Sequence, residues 1–130
     1  MKVLDRTMPA LVVDDSRTMC EIICKILRQT GFTKPEYVTE GIDAIQKLRS
    51  TPYGLLLTDL EMNPISGIEL IKLIWADRDI LPIPVVLTSA NHKNMAKALG
   101  DAQRQMADIY ILKPFTAESL DRKLHAAFGG

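Results

Sequence analysis

Five polar residues stand directly behind short apolar runs. Asp14 and Asp15 follow Ala10-Leu11-Val12-Val13, Asp59 follows Leu55-Leu56-Leu57-Thr58, Thr88 follows Ile83-Pro84-Val85-Val86-Leu87, and Lys113 follows Ile109-Tyr110-Ile111-Leu112. Singly, each has an ordinary use: a carboxylate or threonine at a strand end caps a turn or helix as readily as it reacts, and a lysine is usually solvated. As a set they describe a site. Three carboxylates brought close would raise one another's pKa unless a cation shared their space, and a hard, oxygen-preferring ion such as Mg2+ is the natural partner. A lysine and a hydroxyl beside that ion suit the oxygens of a phosphoryl group. The chemistry implied is phosphoryl transfer to or from Asp59, with the protein positioning groups and neutralising charge.

Such a site requires elements that deliver all five residues to one place. The runs at 10–13, 55–58, 83–87 and 109–112 do not alternate in polarity, so they read as buried strands; Glu36 to Thr39 is a weaker one. Between them, apolar residues recur at helical spacing: Met19, Ile22, Ile23, Ile26 and Leu27 behind the N-cap Ser16, with Gly31 closing the segment; Ile42, Ala44, Ile45 and Leu48 from Gly41; and Ile68, Leu70, Ile71, Ile74 and Trp75 after the turn residues Asn63-Pro64-Ile65-Ser66-Gly67. A more polar helix is expected from about His92 to Met106. The last begins at Thr116, with Glu118 nearby, and packs Leu120, Leu124 and Phe128. Strands alternating with helices predict an α/β fold: a doubly wound, five-stranded parallel sheet with five helices on its two faces. In such a sheet all the strand ends lie along one edge, where ligands bind.

Composition narrows the function further. A chain of 130 residues suits one domain, expected over 1–130 with its core at about 8–128. Sixteen basic and sixteen acidic residues leave no net charge, hence no electrostatic footprint for direct nucleic-acid or anionic-membrane binding. Residues 1–8 lack the apolar core of a secretion signal and no run reaches membrane-spanning length, so a cytoplasmic protein without membrane insertion is expected. Cys20 and Cys24 lie four apart in a helical pattern with no histidine near in sequence; they read as core residues. His92 and His125 read as solvated.

From about Met8 to Phe128 the chain resembles the receiver domain of two-component response regulators, most closely the stand-alone chemotaxis type. Val12-Val13-Asp14-Asp15-Ser16, Leu57-Thr58-Asp59, Leu87-Thr88-Ser89 and Lys113-Pro114-Phe115 carry the likeness in order and spacing. The resemblance implies that Asp59 is the phosphoacceptor, taking a phosphoryl group from a phosphohistidine of a sensor histidine kinase or histidine phosphotransfer protein. It implies Mg2+ held by Asp15, Asp59 and the backbone carbonyl of Glu61, with Asp14 acting partly through water. Lys113 would pair with the phosphoryl oxygens, ahead of a cis bond to Pro114. Thr88 and Tyr110 would move together as the switch, and the fourth helix, fifth strand and fifth helix would carry the readout to a downstream target protein. Such a domain is a signalling phosphoacceptor, not an enzyme, although it assists its own phosphorylation and dephosphorylation.

The sequence departs from the family pattern in two places. Met62-Asn63-Pro64 sets the proline one position later than usual, and the span from Thr88 to Lys113 is a few residues longer than in common chemotaxis receivers. Glu61 places a carboxylate two residues past Asp59, where it is expected to reach toward the ion or orient a water. Two other readings stay open: a degenerate receiver that acts only as a binding module, and an aspartate-based phosphohydrolase. The latter places its nucleophile in an Asp-x-Asp motif after the first strand, whereas adjacent aspartates stand here.

Overall fold

The unbroken apolar runs become the inner strands of a single parallel sheet. The computed structural model describes residues 2–100 and 106–129. In chain order the elements are β1 (Ala10–Val13), α1 (Arg17–Gln29), β2 (Pro35–Val38), α2 (Gly41–Ser50), β3 (Leu55–Asp59), α3 (Gly67–Ala76), β4 (Val85–Ser89), α4 (His92–Gly100), β5 (Ile109–Leu112) and α5 (Ala117–Phe128). The strand order is β2-β1-β3-β4-β5, with every neighbouring pair parallel. The chain therefore winds outward from β1 to β2, returns to the other side at β3, and proceeds to β5. The reversal between β1 and β3 opens a crevice beyond their carboxyl ends. Asp14 and Asp15 leave one side of that crevice and Asp59 ends the other.

The side chains of β1, β3 and β4 are buried on both faces, which is why their runs are apolar without alternation. One face buries Leu11, Val13, Leu56, Val85 and Leu87 with Leu48 of α2 and Ile71 and Ile74 of α3. The opposite face buries Val12, Leu55, Leu57, Val86 and Ile111 with Ile23 and Leu27 of α1 and Leu120 and Leu124 of α5. Burying each leucine fully contributes about 2 kcal/mol. The sheet is thereby clamped between helices, and its carboxyl edge is a rigid platform.

Caps fix where the helices start. Ser16 accepts the Met19 N–H at 3.2 Å as expected. Ser66 and Glu69 form a reciprocal capping box at the start of α3. At α5 the box partner of Thr116 is Ser119 rather than Glu118, because the third helical position, not the second, faces back to the cap.

Three readings of helical faces need correction. Ile42 is 53% exposed and Trp75 37%, while the buried stripe of α2 is Gly41, Ala44 and Leu48. Ile22 of α1 is also solvent-facing. The Trp75 ring serves elsewhere: its Nε1–H donates to the Met106 carbonyl at 3.1 Å, and the Lys2 ammonium lies 4.1 Å from its centroid. Of the fourth helix expected over about 92–106, His92–Gly100 is helical and Met106 stands in a bend; residues 101–105 lie outside the described residues.

The leading segment is strapped across the end of the chain. Lys2 pairs with Asp108 at 2.9 Å. Arg6 pairs with Asp121 of α5 at 2.9 Å, donates to the Thr30 carbonyl at the end of α1, and lies over the Phe32 ring.

At Gly67 the first turn of α3 presses on the end of β3. A Cβ there would collide with the Asp59 carbonyl oxygen, a backbone atom unable to yield. Gly67→Ala is expected to destabilise the protein by about 3 kcal/mol. Gly100→Ala, where no described residue lies within 4 Å of the added carbon, should change stability by less than about 1 kcal/mol; urea unfolding of both variants checks the contrast.

Candidate functional site

Parallel register converts the strand-end residues into neighbours. Val13 pairs with Thr58, so β1 ends one residue short of Asp59 and delivers Asp14 beside it. Asp59 pairs with Thr88 on β4, and Thr88 with Ile111 on β5, so Lys113 leaves β5 two positions beyond that level and its long side chain reaches back to the carboxylates. The Lys113–Pro114 bond is cis, as the resemblance implies, and Asn63–Pro64 is cis as well.

Asp14, Asp15 and Asp59 converge: one carboxylate oxygen from each lies within 4.8 Å of the others. Asp14 is 1% exposed and Asp59 5%, whereas Asp15 faces solvent at the mouth. Asp14 Oδ1 accepts the Ser16 N–H at 2.9 Å, so one residue caps the start of α1 and walls the pocket. Beneath it the Cys20 thiol donates to the Asp14 carbonyl at 3.2 Å. Burial pushes that thiol up to about 12, with the Asp14 charge adding to the effect, so it stays protonated. Cys20 and Cys24 are buried core residues, as their spacing suggested.

The Lys113 ammonium bridges two of the carboxylates, 3.0 Å from Asp14 Oδ2 and 3.2 Å from Asp59 Oδ1. The first contact is a directed hydrogen bond; the second is ionic without that alignment, and Asp59 Oδ1 is left without a hydrogen-bond partner. Burial opposes the charge on Lys113, but the bond to Asp14 and the charges of Asp59 and Asp14 outweigh it and hold the ammonium above its ordinary value. Asp59 fares differently. Burial raises it most, Lys113 lowers it, Asp14 and then Glu61 raise it again, and the result is about 6. One ammonium faces two anions, so it gains from both while each anion has only a share of its compensation.

Thr88 is completely buried and its Oγ1 also lacks a hydrogen-bond partner. Buried polar atoms are normally paired, so the Thr88 hydroxyl, without a partner among the described residues, and Asp59 Oδ1, held only by its ion pair with Lys113, leave polar capacity unused on adjacent strands. An all-oxygen donor set of three carboxylates within 4.8 Å of one another fits a hard divalent cation. Tyr110 is half-buried on β5, its hydroxyl accepting the Ala107 N–H at 3.3 Å.

Glu61 corrects an expectation. Its carboxylate does not point to the acidic cluster but accepts the Ser89 hydroxyl at 2.8 and 2.7 Å and the Asn94 side-chain amide at 3.1 Å. A buried hydroxyl and the amide of the first α4 turn outcompete a pocket already crowded with carboxylates. Neither this network nor the Gly67 contact was visible in the motifs. Gly67 could have been suspected from a glycine behind a capping serine so near Asp59; Asn94 offers no signal in one sequence.

A doubly wound domain with an acidic crevice, a bridging lysine and an orphan hydroxyl is built to receive a phosphoryl group. Residues 10–125 match the response regulator receiver domain, and the chain belongs to that family. It is 33% identical over 126 residues to chemotaxis protein CheY-3 of Vibrio cholerae, covering 97% of this chain and 95% of that protein. It is 34% identical over 121 residues to chemotaxis protein CheY of Pseudomonas aeruginosa, covering 93% and 96%. Among solved structures, a CheY-like receiver domain of Methylobacillus flagellatus superposes with a TM-score of 0.81 at 26% identity over 93% of this chain and 98% of the other. The response regulator TrrA of Thermotoga maritima, solved in complex with Mg(2+)-BeF, gives 0.79 at 26% identity over 94% and 100%. The acidic cluster, the topology and these relatives agree on a signalling receiver. No helix of the described residues is long and apolar enough to cross a membrane.

The raised Asp59 has a thermodynamic consequence. Its folded-state value lies above the unfolded one, so its ionisation opposes folding at neutral pH, and that penalty disappears as pH falls from about 6 toward 4. Without divalent cations, Asp59→Asn should be more stable than the parent at pH 7.5, by up to about 3 kcal/mol. The gap should close near pH 4. Urea titrations at the two pH values in the presence of a chelator measure it.

Proposed function

We propose that this chain is a phosphoacceptor receiver of a two-component pathway, with Asp59 as the acceptor. The observation that carries this reading is the pair of buried oxygens without a hydrogen bond among the described residues, Asp59 Oδ1 and Thr88 Oγ1, set in register on adjacent strands, the first ion-paired with the Lys113 ammonium. An Asp59 oxygen attacks the phosphorus of a phosphohistidine on a sensor histidine kinase or histidine phosphotransfer protein. The P–N bond breaks, the imidazole leaves, and an acyl phosphate remains on Asp59.

Asp15, Asp59 and the Glu61 carbonyl would hold Mg2+, with Asp14 acting partly through water; when bound, the ion neutralises charge on the phosphoryl oxygens. Lys113 then exchanges part of its pairing with Asp59 for the transferred group. Thr88 donates its free hydroxyl to that group, and Tyr110 moves with it, shifting the face made by α4, β5 and α5 toward the form that binds a downstream protein. On this reading the domain is a switch rather than an enzyme, and it works in the cytoplasm, where its kinase donor keeps its catalytic part. The intact site set speaks against a degenerate binding module, and the adjacent placement of Asp14 and Asp15 against a phosphohydrolase.

Intact-protein mass spectrometry after incubation with Mg2+ and acetyl phosphate tests this. The parent should gain one phosphoryl mass, chelator should abolish the gain, and Asp59→Asn should show none. A gain of equal size in Asp59→Asn would move the acceptor elsewhere, and no gain in the parent would refute the reading.

A further inference from the structure

The polar ends of Glu61 point in opposite directions. Its carbonyl belongs to the loop after Asp59 that is proposed to serve the ion, while its carboxylate spans to α4. It accepts the Ser89 hydroxyl at the end of β4 and the Asn94 side-chain amide in α4. The Ser89 oxygen in turn accepts the Asn91 N–H at 2.9 Å, and Asn91 Oδ1 caps the Asn94 N–H at 3.0 Å. One continuous network thus joins the β3–α3 loop, the end of β4 and the first turn of α4. Ser89 is completely buried and immediately follows Thr88. Its carbonyl is held from the other side by the Lys113 N–H at 2.8 Å.

We propose that Glu61 and Asn94 are positioning residues for phosphoryl uptake: their hydrogen-bonded bridge fastens α4 to the acceptor loop, holds Thr88 back from Asp59, and must loosen when the acceptor is loaded. The proposal rests on the phosphoacceptor reading above. Thr88 cannot approach Asp59 without disturbing Ser89, the next residue in the chain, and Ser89 is restrained through both its side chain and its carbonyl. A phosphoryl group on Asp59 also brings negative charge toward a carboxylate that already acts on Asp59 as a like charge. Bridge and loaded state therefore compete. Because coupling between two sites is reciprocal, opening the bridge must favour loading by the factor by which loading opens the bridge.

Asn94 gives a test that separates this role from simple support of the helix. It is the third residue of α4 and is solvent-exposed, so its variants should fold. Asn94→Asp places a second carboxylate against Glu61 and breaks the bridge by repulsion, yet an acid in the first turn favours the helix dipole. Affinity for beryllofluoride with Mg2+, a stable mimic of the phosphoryl group, is measured by calorimetry. Amide exchange of Asn91, whose N–H ends the network, is measured in the resting protein.

The bridge predicts that Asn94→Asp binds the mimic more tightly, by roughly fivefold, with Asn94→Ala in between, and that Asn91 exchanges faster in both. Unchanged or weaker binding by Asn94→Asp overturns the proposal while leaving the phosphoacceptor reading intact. A parent protein that does not bind the mimic overturns both.

Discussion

Lys113 Nζ stands 3.0 Å from Asp14 and 3.2 Å from Asp59, with all three groups largely withdrawn from water. Placing two carboxylates there with one ammonium is a frustrated arrangement, because a single positive charge cannot fully compensate both. Removing one partner of a buried pair strands the other, so loss of Lys113 would leave two buried carboxylates uncompensated, whereas loss of Asp59 leaves the ammonium paired with Asp14. The leftover negative charge is expressed on Asp59, the residue whose carboxyl is driven upward. A cation or an incoming phosphoryl group changes that balance, and the resting pocket is accordingly held short of electrostatic satisfaction.

The fold makes this imbalance durable. Asp14 is fixed by its bond to the Ser16 N–H and by the Cys20 thiol under its carbonyl, Asp59 by the ladder to β4 and by α3 pressed against its backbone. Each anchor belongs to an element whose apolar side chains are committed to one of the two cores. The carboxylates cannot swing apart to relieve their repulsion without disturbing those layers. Rigidity behind the pocket and a polar bridge in front of it divide the labour: the sheet stores the strain of like charges, and the β3–α3 and β4–α4 loops are where movement can occur.

Much of this was legible in the sequence because it depends on run lengths and residue types. Apolar runs of four or five residues ending in Asp, Thr or Lys identify buried parallel strands and the edge at which they stop, and Asp14, Asp15, Asp59, Thr88 and Lys113 meet there. Features that depend on a side chain's direction were not legible. Glu61 lies two residues from the acceptor, yet its carboxylate turns to Ser89 and Asn94, partners 28 and 33 residues away. Ile42 and Trp75 fit a helical period but sit beside, not within, the buried stripes of α2 and α3. The Thr116 cap was legible, whereas its Ser119 partner required knowing which residue began the helix.

The strap formed by Lys2 and Arg6 bears on how the chain is made. Lys2 waits for a partner 106 residues later and Arg6 for one 115 residues later. During vectorial synthesis the early β-α units can emerge and pack first, but the leading segment stays unclosed until β5 and α5 have left the ribosome. Lys113 arrives in the same late stretch. The three aspartates therefore emerge well ahead of the ammonium that lets two of them remain buried. The charge balance of the pocket is thus a property of the completed sheet, set only once β5 has joined β4.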